Sequence, residues 1–129
     1  MYSFGTPSIF ATTRKLIASN RELVMNVMQG FVETIHLFKT RPDIVVPLLQ
    51  RYVKIKDRKA AEDLYAFYVP VFQKVPRPSL PGMQALRDFL VTKYPAAVSL
   101  KESDIADSSF IDELERSGFI DRLYSTDRK

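Results

Sequence analysis

The sequence lacks cysteine and contains a single histidine, His36. Without cysteine the chain can form neither disulfides nor thiolate metal sites. One histidine supplies too few converging ligands for a zinc site, and no aspartate-rich segment has the spacing of a calcium-binding loop. We therefore expect no metal and no cofactor. His36 is predicted to be a partly exposed helical residue, favoured by the dipole at a helix C-terminus.

Glycine is also scarce, with isolated residues at positions 5, 30, 82 and 118. Phosphate-binding loops and dinucleotide turns need several glycines close together, and the Gly-x-Ser-x-Gly elbow of hydrolases is absent. The neighbouring acids Glu62 and Asp63, like Asp112 and Glu113, would point about 100° apart on a helix. Such pairs are poor candidates for acid–base catalysis. The sequence therefore predicts a non-enzymatic protein.

No apolar run approaches the ~18 residues of a transmembrane helix, so we expect no direct membrane insertion. Residues 1–7 lack the basic region and following apolar region of a signal peptide. This predicts a cytoplasmic location if Met1 is the native start. The length of 129 residues suits one domain, which we assign to residues 1–129.

The net charge of +4 is unevenly distributed. Residues 1–101 hold 15 Lys and Arg against 7 Asp and Glu, whereas residues 102–129 hold 4 against 8. A basic body with an acidic tail is typical either of nucleic-acid binding or of internal charge pairing. Because the basic residues are scattered over several helices, we expect no nucleic-acid partner. A solvated loop is favoured over a phosphate-binding patch for the basic run Arg51, Lys54, Lys56, Arg58 and Lys59.

The periodicity predicts a mainly α fold of about five to seven helices with one short N-terminal strand at residues 8–13. The predicted helices cover residues 14–18, 20–39, 42–52, 58–73, 80–93 and 109–117, with a further turn at 119–124. Ser19, Asp57 and Ser79 are the predicted N-caps of three of them. Residues 125–129 are predicted to fray.

Four of the predicted helices have a predicted inward face. In the helix at 20–39 it consists of Val24, Val27, Met28, Phe31, Ile35 and Phe38, and in the helix at 42–52 of Ile44, Val45, Leu48, Leu49 and Tyr52. In the helix at 58–73 it consists of Ala61, Leu64, Tyr65, Tyr68 and Phe72, and in the helix at 80–93 of Met83, Leu86, Phe89 and Leu90. Gly30 lies in mid-helix at a cost of ~1 kcal/mol relative to alanine, which predicts close approach of a neighbouring element. The aromatic group Tyr65, Phe67, Tyr68 and Phe72 is more typical of a core than of a ligand-stacking surface.

The acidic segment near the C-terminus predicts one short helix with a defined end. Asp107 or Ser108 is the expected N-cap, and Phe110, Ile111 and Leu114 face inward. Gly118 fits the left-handed position that follows a helix, where Phe119 can then contact Leu114.

Four segments carry a resemblance to a known family. They are Ile9-Phe-Ala-Thr-Thr-Arg-Lys-Leu-Ile-Ala-Ser-Asn20, Phe31-Val-Glu-Thr-Ile-His-Leu-Phe-Lys39, Pro76-Arg-Pro-Ser79 with Gly82, and Asp107-Ser-Ser-Phe110 with Leu114 and Ser117-Gly-Phe-Ile120. In order and spacing, residues 9–124 resemble the C-terminal part of the solute-binding proteins of ABC importers for nitrate, taurine, alkanesulfonates and thiamine-precursor pyrimidines.

The resemblance implies a partial domain, the C-terminal helical part of a two-lobe periplasmic binding protein fold. It implies a non-enzymatic transport component, a periplasmic location and an ABC permease as partner. Tyr2, Phe4 and Thr6 would be the conjectural neighbours of a ligand. Helices made to cover a sheet should expose an apolar face without it, so the partner would be the missing lobe or a second copy. The alternative function is an autonomous helical interaction and oligomerisation module without a ligand of its own.

Overall fold

The computed structural model describes residues 10–125, and this part of the chain is mainly α-helical, which confirms the predicted fold class. Its elements are α1 (Arg14–Ser19), α2 (Arg21–Thr40), α3 (Pro42–Val53), α4 (Arg58–Tyr68), α5 (Leu80–Lys93), a 3₁₀ segment (Pro95–Ser99), α6 (Glu102–Ile105), α7 (Ser109–Arg116) and α8 (Phe119–Ser125). The helices outnumber the prediction because two further short helical elements form between α5 and α7, the 3₁₀ segment and α6.

The predicted N-terminal strand is not formed by its described part. Residues 8 and 9 lie outside the described range, and residues 10–13 adopt no strand. A strand needs a neighbour to bond its backbone groups, and residues 10–125 contain no other strand. The chain instead enters α1, where the N–H of Leu16 donates to Thr13 Oγ1 at 3.1 Å.

Side-chain caps also fix where three further helices begin. Asp57 Oδ2 accepts from the N–H of Ala60 at 2.8 Å and Ser79 Oγ from the N–H of Gly82 at 3.0 Å, as predicted. The prediction of Ser19 as the N-cap of α2 is wrong by one residue. The cap is Asn20, whose Oδ1 accepts from the N–H of Leu23 at 3.1 Å. Ser19 still belongs to α1, so its backbone cannot take the extended conformation of a cap.

The described core is centred where α2 meets α7 and α8. Val32, Ile111, Leu114 and Ile120 are at most 3% exposed, and we call these four the central cluster. Met25, Met28, Val75, Phe119, Leu123 and Tyr124 pack around it. The inward face predicted for α7, Phe110, Ile111 and Leu114, is confirmed. Phe119 packs against the cluster that contains Leu114.

The faces predicted for α3 and α5 are partly wrong. In α3 the buried residues are Val45 and Val46, whereas Tyr52 is exposed. Among the side chains of α5 whose burial is described, those of residues 81–93, only Met83 is buried, and Phe89 is exposed. Within the described residues α5 packs on the 3₁₀ segment and on α6, which are too short to cover its whole apolar side.

Candidate functional site

An open apolar groove of about 600 Å³ runs along α2. Its lining consists of Phe10, Val27, Gly30, Phe31, Thr34, Ile35, Phe38 and Phe72. None of these side chains is charged, and four of them are aromatic. An apolar concavity of this size is the default candidate for a binding site, so we take this groove as the candidate functional site.

The floor of the groove exists because α2 is apolar on two sides. Val27 and Phe31 face the groove, while the residues that follow them, Met28 and Val32, pack into the central cluster. Consecutive helical residues point about 100° apart, so the two sides are neighbouring stripes. The prediction placed most of these residues on one stripe and left out Val32. The adjacent pairs Val27-Met28 and Phe31-Val32 were the sequence signal for a second apolar side.

Two phenylalanines form the walls of the groove. The ring of Phe10 packs edge-to-face on Phe31 with centroids 4.7 Å apart, and the ring of Phe72 packs on Phe38 at 5.0 Å. Both distances suit favourable aromatic pairs. Sequence reasoning placed Phe10 in a strand and Phe72 at the end of a helix, so neither wall was foreseen.

Phe72 reaches α2 because α4 ends earlier than predicted, at Tyr68 instead of residue 73. Pro70 has no N–H to continue the helical hydrogen bonds, and the chain turns with Val71 N–H donating to the carbonyl of Tyr68 at 3.0 Å. Lys39 Nζ then donates to the carbonyls of Val69 and Phe72 at 2.7 and 2.9 Å. This lysine fastens the turn to the end of α2.

Gly30 lies in the floor of the groove, and the predicted close approach of a neighbouring element is wrong. A Cβ built there would meet no atom of another element within 4 Å. One turn later, the hydroxyl of Thr34 donates to the carbonyl of Gly30 at 2.7 Å. The middle of the floor is therefore low, with a glycine and a threonine whose hydroxyl is turned back onto the helix.

The other predicted aromatic residues extend the wall beyond Phe72. Tyr65 lies 5.4 Å from Phe38 and Tyr68 lies 6.4 Å from Phe72 between ring centroids. Partial burial raises the pKa of the Tyr65 hydroxyl. Phe67, by contrast, is exposed and packs only edge-on against Tyr68 among the described contacts. The predicted aromatic group is therefore partly buried and partly exposed on the surface.

Several cations of the basic body form ion pairs with acids of the tail. Cations of the body contact acids of the tail in the pairs Arg14–Asp104 at 3.1 Å, Arg21–Glu113 at 2.7 Å, Lys74–Asp121 at 2.6 Å, Arg77–Asp112 at 3.0 Å and Arg77–Glu115. Arg21 also lies 4.2 Å above the ring of Phe110. The acidic helices α7 and α8 are therefore held against α2 and the 74–79 connector by charge as well as by the central cluster.

The pKa values follow from these pairs. The hydrogen bonds that Arg77 donates to Glu115 and then to Asp112 raise the pKa of Arg77, and the ammonium of Lys74 lowers the pKa of Asp121. The pKa of Asp104 is lowered first by the backbone N–H of Lys101 and second by Arg14. In each case the partner stabilises the charged form. These charges serve as internal partners, and none of them lies in the groove.

The remaining candidate residues are not brought together. Glu62 bonds Arg58 and Asp63 bonds Lys59, both within α4, while Asp112 and Glu113 bind different arginines. Neighbouring acids thus diverge as predicted. His36 is half-buried and packs edge-to-face on Tyr124 at 4.7 Å. Tyr2, Phe4 and Thr6 lie outside the described residues, as do residues 126–129 of the predicted frayed end.

Residues 10–125 contain no group of three or more acids or histidines arranged to hold a metal ion. Over the same range no helix combines the length and hydropathy needed to cross a bilayer. Comparison of the chain with protein-family models, curated proteins and solved structures finds no match. The resemblance to solute-binding proteins therefore stays a prediction from the sequence.

Proposed function

We propose that this chain is a non-enzymatic helical module that associates with itself through the groove on α2. The observation that carries the proposal is the second apolar side of α2. One side is buried in the central cluster, whereas on the other Val27 remains 46% and Leu23 47% exposed. Apolar side chains that line a continuous groove favour association because burial removes them from water.

The form of the groove favours a helix as its occupant. Val27, Phe31, Thr34 and Phe38 recur at intervals of four, three and four residues along α2. At 1.5 Å per residue they span roughly 16 Å, which is three helical turns. A groove of this kind accepts an amphipathic helix whose own apolar residues recur at the same intervals.

Charge does not oppose pairing of two copies at this site. The chain carries a net charge of +4, yet no lining residue of the groove is charged. Two grooves can therefore face each other without burying an unpaired charge, which would be costly.

The association should be weak. A helix of 20 residues is about 30 Å long and, with side chains, about 12 Å wide, so two such faces cover roughly 700 Å². Stable interfaces bury about 1,200–2,000 Å². We therefore expect a transient dimer with a Kd of roughly 10 μM or weaker.

Sedimentation velocity tests this function between about 10 μM and about 1 mM protein. The unmodified chain should shift from monomer to dimer with concentration. Val27→Asp should weaken dimerisation at least tenfold, because a buried carboxylate without a partner is costly. Circular dichroism should show that the helices of this variant are retained.

The matched control is Val98→Asp. Val98 is 69% exposed and belongs to the 3₁₀ segment, which packs on α5 and not on α2. This variant should dimerise like the unmodified chain. A chain that remains monomeric up to millimolar concentration, or two variants with equal effects, would contradict self-association through the groove.

A second candidate function is that of a component of an ABC-type importer for a small anion or a thiamine precursor. It is supported by the order of the four sequence segments described above. The partners would then be the remaining lobes and an ABC permease. We expect the 129-residue chain alone to bind an alkanesulfonate or a pyrimidine precursor weakly or not at all, and titration calorimetry measures this. Tight binding would favour transport over self-association.

A further inference from the structure

We propose that the tip of the α3–α4 hairpin, residues 51–59, docks on an anionic lipid surface. Helix α3 ends at Val53, α4 begins at Arg58, and the two helices pack against each other. Two packed helices joined by so short a loop form an αα-hairpin. Every side chain of the tip is exposed except that of the half-buried Ile55. The tip does not belong to the groove on α2, so this docking is independent of self-association.

The net charge of the chain is concentrated in this tip. The chain has 19 Lys and Arg and 15 Asp and Glu. The tip holds five of these cations and one of these acids, so the other 14 cations and 14 acids balance each other. The five cations are Arg51, Lys54, Lys56, Arg58 and Lys59. An anionic surface is therefore attracted mainly to one end of one hairpin.

Three of the five cations are left for an external anion. The two cations of α4 pair with acids one turn further along that helix, at 2.9 and 2.6 Å. Arg51, Lys54 and Lys56, by contrast, form no ion pair with any of the described residues. The acid of the tip, Asp57, accepts from the N–H of Ala60 as the cap of α4.

The tip also exposes an aromatic and an aliphatic side chain, and these favour a lipid surface over nucleic acid. Tyr52 is 73% and Val53 55% exposed, and Cζ of Arg51 lies 5.5 Å from the centre of the Tyr52 ring. Tyrosine is enriched where a bilayer meets water, because its ring is apolar and its hydroxyl is polar. Valine can also be buried at that boundary, whereas it has no ring on which a base could stack.

Lipids with a negative headgroup, such as phosphatidylserine, carry the complementary charge. Each Lys or Arg close to such a surface strengthens binding about fivefold, so three unpaired cations strengthen it roughly a hundredfold. The attraction falls off within a screening length of about 8 Å at physiological ionic strength, and only the tip can come so close in this orientation. Docking at the surface does not require a helix that spans the bilayer.

Vesicle co-sedimentation of the full 129-residue chain tests the docking. At about 50 mM NaCl the chain should bind vesicles that contain phosphatidylserine and not vesicles of phosphatidylcholine alone, and about 500 mM NaCl should release it. Lys54→Glu combined with Lys56→Glu should weaken binding at least tenfold. The matched control is Lys15→Glu combined with Lys93→Glu, two exposed lysines of α1 and α5. It gives the same net charge and should weaken binding less than about threefold.

A tryptophan reporter locates the contact, because the chain contains no tryptophan. The fluorescence of Tyr52→Trp should shift to shorter wavelength when phosphatidylserine vesicles are added, since the indole moves from water into the interface. Tyr94→Trp is the control, at a position that is 56% exposed and lies outside the tip, and its fluorescence should not shift. Circular dichroism should show that all variants keep their helices.

Three results would overturn the proposal: no binding to phosphatidylserine vesicles at low salt, equal weakening by the two double variants, or equal shifts of the two reporters. A single-stranded DNA of about 20 nucleotides separates the two kinds of polyanion. Half-saturation by this DNA at a lower phosphate concentration than by the vesicles would overturn docking on lipid and assign the tip to nucleic acid. Weaker DNA binding supports the lipid surface. None of these outcomes bears on the groove on α2.

Discussion

Replacing Leu114 with alanine should lower the free energy of unfolding by about 2–5 kcal/mol. Leu114 is 3% exposed and belongs to the central cluster with Val32, Ile111 and Ile120. Its loss leaves a cavity where α2, α7 and α8 meet, and the surrounding helices can fill it only in part. Since small domains are stable by only about 5–15 kcal/mol, this single change should remove a large share of the total.

Urea unfolding followed by circular dichroism measures the effect. Leu48→Ala is the matched control, because it removes the same atoms from a side chain that is 41% exposed. We expect it to cost less than about 1 kcal/mol, since little buried apolar area is lost. Leu114→Met, which nearly conserves volume, should cost less than about 1.5 kcal/mol. Equal costs for Leu114→Ala and Leu48→Ala would show that the central cluster does not organise the fold.

The features that the sequence predicted well are local ones. The caps Asp57 and Ser79, the inward face of α7 and the left-handed Gly118 are confirmed. Each of them depends on residues within one or two turns of the same helix. A hydroxyl or carboxylate before a helix bonds its free N–H groups whatever the rest of the chain does.

The features that the sequence missed depend on packing between helices. Val32 was left out of the inward face of α2, and Tyr52 was wrongly included in that of α3. Periodicity shows that a helix has an apolar side, but the neighbouring helices decide which part of that side is covered. The groove could not be predicted for the same reason. Its walls, Phe10 and Phe72, come from residues outside α2, so the periodicity of α2 carries no information about them.

The role of the charge pattern was predicted only in part. The sequence left nucleic-acid binding and internal pairing as alternatives, and favoured pairing because the cations were scattered. The pairs Arg21–Glu113 and Lys74–Asp121 join residues far apart in the sequence, so only the fold could identify the partners. The acidic tail was predicted as one helix that ends at Gly118, with a further turn at 119–124. The structure has these two elements as α7 and α8, joined at Gly118 and paired with cations of the basic body.

Gly118→Ala should destabilise the chain by about 1 kcal/mol, because Gly118 has a φ of +72°. A side chain in the left-handed conformation costs about 1–2 kcal/mol, and the reduced freedom of the unfolded alanine variant offsets part of that cost. The new Cβ would also lie 3.2 Å from Nη1 of Arg122, although the end of that side chain can move. The strain acts at the junction of α7 and α8, the helices that carry the buried Leu114 and Ile120.

Lys54 provides the reciprocal measurement, since it ends α3 with a φ of +61° and is not a glycine. Lys54→Gly should raise the free energy of unfolding by up to about 1 kcal/mol, because glycine adopts this conformation without steric cost. Both variants change a backbone preference at a helix end, and neither residue belongs to the buried core. Opposite signs in urea unfolding would show that the left-handed conformation controls stability at these two positions. A loss of stability in Lys54→Gly would instead mean that the lysine side chain contributes more than the relief of strain returns.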